Sequence, residues 1–101
     1  MARISNNERN SRVLNIICAY MRLRDADHRN LPHSSVRVRT LLRSYGFSEF
    51  YASNNWKAWD SALKDMFDWV TCERRKSLFL LGREQTPSKE RLISYVSRRL
   101  S

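Results

Sequence analysis

Apolar positions recur at helical spacing in four stretches of the chain. Val13, Ile16, Ile17 and Tyr20 stand at i, i+3, i+4 and i+7, with Leu14, Cys18 and Met21 widening the stripe. Ser5-Asn6-Asn7-Glu8 has the form of a capping box and predicts the start of this first helix. The pattern fades over residues 25–30, and Asn30-Leu31-Pro32-His33 breaks it, with His33 as a turn residue. A second helix opens at Ser34 or Ser35 and runs to Tyr45, with Gly46 just past its end. Val38, Leu41, Leu42 and Tyr45 face inward, and Arg39 and Arg43 lie four apart on another side. Phe47, Phe50 and Tyr51 read as core plugs in a short connection.

Ser53-Asn54-Asn55 offers N-caps for a third helix. Its stripe of Trp56, Trp59, Leu63, Met66, Phe67 and Val70 is the strongest in the chain. Val70–Glu73 and Ser77–Leu81 then flank Arg74-Arg75-Lys76 and predict a short hairpin with a basic tip, ended by Gly82. Thr86 as N-cap and Pro87 as first helical residue open a last helix, in which Leu92, Ile93, Val96 and Leu100 pack inward. The predicted fold class is mainly α with a short β-hairpin. The order is three helices, hairpin, C-terminal helix, in a single domain over residues 1–101.

That order resembles a winged helix-turn-helix domain over roughly residues 8–82, with the C-terminal helix at about 87–100 outside it. The resemblance rests on three helices before a hairpin, on the short turn at Tyr45-Gly46-Phe47 and on the basic tip Arg74-Arg75-Lys76. It implies DNA binding, with the third helix in the major groove and the hairpin tip on phosphates or the minor groove. Carried onto this chain, the reading residues are Ser53, Asn54, Asn55 and Lys57. Asn can pair with adenine through two hydrogen bonds.

Charge sharpens this picture and also complicates it. The net charge is +9, and it is segregated. Residues 1–45 hold nine Arg against Glu8, Asp25 and Asp27, a net of +6. Residues 46–73 hold Lys57 and Lys64 against Glu49, Asp60, Asp65, Asp68 and Glu73, a net of −3. Residues 74–101 hold eight basic residues against Glu84 and Glu90, again +6. Fields of this strength usually meet a polyanion. Arg holds phosphate bidentately and stacks on rings, so an excess of Arg over Lys suits nucleic acid. An acidic third helix, however, is poorly charged to lie in a groove lined with phosphates. The second helix, with Arg37, Arg39 and Arg43, is the better phosphate surface, joined by Arg74, Arg75 and Lys76. The expected site is therefore Arg37, Arg39, Arg43, Asn54, Asn55, Lys57, Arg74, Arg75 and Lys76.

The expected function is a small nucleic-acid-binding protein, on duplex DNA rather than RNA, acting as repressor, architectural or accessory factor. The alternative is a small inhibitor or adaptor whose Arg-rich face docks on an acidic protein. A second basic surface, with Arg83, Arg91, Arg98 and Arg99, could clamp DNA, cover the core or pair two copies into a homodimer.

Other chemistry is thin. No phosphate-cradling, nucleophile-elbow or zinc-protease motif occurs, which argues against an enzyme. Asp65 and Asp68 share a helix side without a third converging ligand, so they read as a solvated face rather than a nuclease site. Cys18, His28, His33 and Cys72 lack metal-ligand spacing, so neither metal nor other cofactor is expected, and Cys18 reads as a core residue. Two distant thiols suggest a reducing, intracellular compartment. No apolar run approaches eighteen residues, and the last helix has a narrow apolar side without Trp or Phe, so no membrane partner is expected.

Overall fold

The computed structural model describes residues 6–26 and 34–101, and among these it contains four helices and no strand. They are α1 (Asn6–Ala26), α2 (Ser34–Ser44), α3 (Glu49–Leu81) and α4 (Lys89–Leu100). Ser5 and the segment Asn30-Leu31-Pro32-His33, with His28, lie outside the described residues.

One core joins all four helices. Ile16, Ile17 and Tyr20 of α1, Val38 and Leu42 of α2, Trp59, Leu63, Met66 and Val70 of α3 and Leu92 and Val96 of α4 are buried together. Cys18 is not in it. At 100° per residue it falls about 100° past Ile17, off the stripe centred on Ile16 and Tyr20, and it is exposed.

Two turns define the path of the chain. After α2, the Phe47 N–H donates to the Leu42 carbonyl (3.0 Å) and the Gly46 N–H to the Arg43 carbonyl (3.3 Å). These are the two bonds of a Schellman stop, with Gly46 at φ 97°, where a side chain is strained. Ser48 then caps α3: its Oγ accepts from the Tyr51 N–H at 3.0 Å. The predicted start at Ser53-Asn54-Asn55 is thus five residues late. Asn54 and Asn55 sit inside the helix, and their amides donate to the carbonyls of Phe50 (2.8 Å) and Tyr51 (2.9 Å) one turn back. At the other end of the molecule α4 begins two residues later than expected. Ser88 rather than Thr86 is its N-cap, accepting from the Arg91 N–H, and Pro87 lies buried just ahead of it.

The predicted hairpin does not exist, and with it goes the winged-helix assignment. Val70–Glu73, Arg74-Arg75-Lys76 and Ser77–Leu81 are all the continuation of α3. The physical reason lies in what the segment lacks. Residues 70–81 contain no Gly, Pro, Asn or Asp. A tight hairpin turn needs positive φ at one or both central positions, which only such residues adopt cheaply. Arg, Lys, Glu and Leu favour helix instead, and the helix supplies its own ties. Lys76 pairs with Glu73 at 3.8 Å, and the Thr71 and Ser77 hydroxyls donate to the carbonyls of Phe67 and Arg74. Only Gly82, at φ 73°, ends it by donating its N–H to the Leu78 carbonyl at 2.9 Å. At 1.5 Å per residue the 33 residues of α3 run about 50 Å, which matches the 49 Å long axis of the molecule.

Candidate nucleic-acid interface

Helix periodicity decides which Arg of α2 can meet a ligand. Val38, Leu41 and Leu42 face the core, and Arg37 stands one turn before Leu41 on the same side. Arg37 is accordingly buried, with its side chain only 6% exposed. Its guanidinium lies 5.5 Å from the Tyr20 ring centre and 3.9 Å from the Asp60 carboxylate of α3. Asp60 in turn receives Lys64 at 3.1 Å. Arg37 therefore couples α2 to α3 from within, and its place among the predicted phosphate ligands is corrected.

Arg39 and Arg43 lie on the opposite side of α2 and reach the first turns of α3. Arg39 Nη2 donates to Ser53 Oγ at 3.2 Å, and Arg43 Nη1 lies 3.7 Å from the Glu49 carboxylate. Because α3 starts at Glu49, residues Phe50, Ser53, Asn54 and Lys57 fall at i, i+3, i+4 and i+7 on one exposed stripe. Phe50 is 81% exposed, so it is not the core plug its sequence context suggested; Phe47 and Tyr51 do pack inward, their rings stacked at 4.8 Å. A further cation joins from α1: Arg12 donates to the Gly46 carbonyl at 3.4 Å and covers the Phe47 ring. The α2–turn–α3 corner thus gathers Arg12, Arg39, Arg43, Phe50, Asn54 and Lys57.

The other predicted residues lie elsewhere. Asn55 is half-buried beside Tyr51, off the exposed stripe. Arg74, Arg75 and Lys76 sit about 30 Å further along α3. There Arg74 Nε donates to Thr86 Oγ1 at 3.1 Å, fastening the α3–α4 connection, while Arg75 is exposed. On α4, Arg91 lies over Trp69, Trp69 stacks on Tyr95 at 4.5 Å, and Arg99 covers Tyr95 and pairs with Asp65 at 3.3 Å. This column, two stacked rings flanked by two cations, ties α4 to α3, so Trp69 and Tyr95 are each already engaged by the other ring and by an Arg.

These contacts resolve the apparent conflict in the charge pattern. Four of the five acidic residues of the middle segment meet cations of the two flanks: Glu49 meets Arg43, Asp60 meets Arg37 as well as the nearer Lys64 of its own segment, Asp65 meets Arg99 and Glu73 meets Lys76. Much of the acidity of the middle segment is thus used in ion pairs, several of them with the basic flanks.

Neither Phe50 nor Arg12 was identified from the sequence as a surface participant. Phe50 becomes recognisable once the helix start is moved to Glu49. For Arg12 the available signal was its spacing from Glu8, with which it pairs at 3.4 Å. Among the described residues no cluster of His, Cys, Asp and Glu could hold a metal ion, and no helix is long and apolar enough to cross a membrane. Compared with protein-family models, curated proteins and solved structures, the chain matches none.

Proposed function

We propose that the protein binds duplex nucleic acid, preferentially DNA, through the α2–turn–α3 corner. The observation that carries this reading is the bond from Arg39 to Ser53, with Arg43 beside Glu49. These contacts hold two guanidiniums against the exposed first turns of α3. The N-terminal end of a long helix also presents a positive dipole over its first turn, where a phosphate is stabilised. Phe50, Ser53, Asn54 and Lys57 then project beyond the phosphate ligands, and a B-form major groove is wide enough to admit them. A-form RNA closes that groove to side chains.

The chemistry is mainly phosphate neutralisation. Arg39, Arg43 and Lys57 carry it, and the Arg43–Glu49 pair is exposed enough to exchange for a phosphate contact. Base reading is limited. Asn54 keeps Oδ1 to accept, but its Nδ2 is engaged with the Phe50 carbonyl at 2.8 Å. The second Nδ2 hydrogen is left to donate, so pairing with adenine requires the amide to present it together with Oδ1. Phe50 offers apolar contact to a thymine methyl. Regulatory or architectural roles, without catalysis, suit so small a domain.

Fluorescence anisotropy with a labelled generic duplex tests the reading. Three phosphate contacts imply a log–log salt slope near −2.7, or roughly a 40-fold loss of affinity between about 50 and 200 mM salt. Arg39→Glu/Arg43→Glu should abolish binding, while Arg74→Glu/Arg75→Glu should leave most of it. Binding that ignores salt, or that survives the first variant and not the second, refutes the assignment.

A further inference from the structure

The last turn of α3 carries Leu78, Phe79, Leu80 and Leu81, which are 48%, 89%, 74% and 58% exposed. Four consecutive residues at 100° steps cover nearly the whole helix circumference. The apolar surface is therefore the blunt end of a rod, not a stripe along one side. It stays bare because the returning chain is fastened further back: the Gln85 N–H donates to Ser77 Oγ at 2.7 Å and Arg74 to Thr86. With roughly 200 Å² for each full side chain, the tip offers on the order of 500 Å², the size at which exposed apolar patches mark interaction sites. Behind it stands a cationic collar of Arg74, Arg75 and Lys76, with Arg83 just after the tip; Glu73, which pairs with Lys76, and Glu84 offset it in part.

We propose that this tip inserts into the interface of an anionic lipid bilayer. A fluid interface can surround an apolar end on all sides, whereas the face of a folded protein touches about half of it. One helical turn is about 5.4 Å, comparable to the depth of about 5–10 Å to which interfacial apolar groups are buried. The collar then lies at the level of acidic headgroups, where each cation adds attraction. The turn before the tip exposes Cys72, Arg75 and Lys76, so a helix laid alongside finds no apolar seam. A second copy is the poorer occupant. Two tips meeting would bury less than the about 1,200 Å² of a stable interface and would bring the two collars together. The proposal departs from the expectation of no membrane partner, which rested on the lack of a spanning apolar run and on the narrow apolar side of α4; the exposed end of α3 is a separate surface.

Co-sedimentation of the 101-residue chain with vesicles tests this, using phosphatidylcholine with one third phosphatidylglycerol against phosphatidylcholine alone, at moderate salt. Wild type should partition onto the anionic vesicles, and Phe79→Ser/Leu80→Ser should weaken that by at least about tenfold at unchanged charge. A protein of net charge +9 will feel anionic vesicles anyway, so equal binding by the serine variant overturns the proposal. So does the absence of wild-type binding, or a wild-type dimer that the serine variant converts to monomer. The serine variant should keep its helical circular dichroism and its affinity for duplex DNA, because the tip lies about 38 Å along α3 from Asn54. Conversely, Arg39→Glu/Arg43→Glu should retain the difference made by the tip on vesicles. The two proposals therefore fail separately.

Discussion

Replacing Arg37 by Ala separates a structural arginine from a binding one. The side chain is 6% exposed and faces an Asp60 carboxylate that is itself 12% exposed. Removing one partner of a buried ion pair costs about 3–5 kcal/mol, because the other charge is left without compensation. Two features of this site move the expectation to the lower end. The pair is separated by 3.9 Å, and Lys64, 3.1 Å away and half exposed, still partly neutralises Asp60. The contact with the Tyr20 ring adds about 1 kcal/mol to the loss. Arg37→Ala should therefore destabilise by about 3–4 kcal/mol. For a chain of 101 residues that is on the order of 15 °C in melting temperature. Urea unfolding followed at 222 nm gives the free energy, and an unchanged m value shows that the unfolded state is the same. Arg37→Met/Asp60→Leu, which removes both charges, should recover most of the loss. Below the melting transition Arg37→Ala should bind duplex DNA with the wild-type salt slope. A loss under about 1 kcal/mol, or a shallower salt slope with stability intact, would show that Arg37 is a ligand contact and that its burial has been misread.

Alanine at either glycine should destabilise the fold. Gly82→Ala meets no atom within 4 Å and bears only the left-handed backbone, about 1 kcal/mol, whereas at Gly46 a Cβ would come 2.9 Å from Arg12 Cζ and displace it. Arg12 Cζ is the far end of a flexible side chain and can swing aside, so Gly46→Ala should cost only slightly more than Gly82→Ala, about 1–1.5 kcal/mol in thermal or urea unfolding, and no loss at either site would contradict the turn geometry. Ser48→Ala removes the cap that accepts from Tyr51 and should cost about 1 kcal/mol; Ser53→Ala, inside the helix, should cost far less. Tyr95→Ala breaks the Arg91–Trp69–Tyr95–Arg99 column and should cost about 2 kcal/mol. Its loss should be concentrated in α4, measured as faster amide exchange there than in α2.

Much of the fold follows from local pattern. The stripes at Val13, Ile16, Ile17 and Tyr20, at Val38, Leu41 and Leu42, and at Leu92 and Val96 are buried as their 3.6-residue spacing requires. Gly46 ends α2 because no other residue takes its φ so cheaply. The errors share a cause. Leu78-Phe79-Leu80-Leu81, ended by Gly82, reads as a strand because the run is too short to be a helix alone, yet it is the end of a long one. The lack of Gly, Pro, Asn or Asp over residues 70–81 does favour a continuous helix, but nothing local announces that it will run past its core and leave such a run in solvent. Ser53-Asn54-Asn55 and Thr86 are good caps by composition, and Ser48 and Ser88 won because only their hydroxyls meet a first-turn N–H.

The candidate surface divides in the same way. Sequence alone determined the number of basic residues, their segregation into flanks and the spacing that puts Arg39 and Arg43 together on one side of α2. Tertiary structure decided what each charge meets. It placed Arg37 against Asp60, brought Arg12 to the α2–α3 turn, set Arg74, Arg75 and Lys76 about 30 Å away and turned Phe50 outward. The physical reason is range. Helical periodicity assigns each residue to a side of its own helix, but the partner of an ion pair comes from another helix, and only packing fixes which sides face each other.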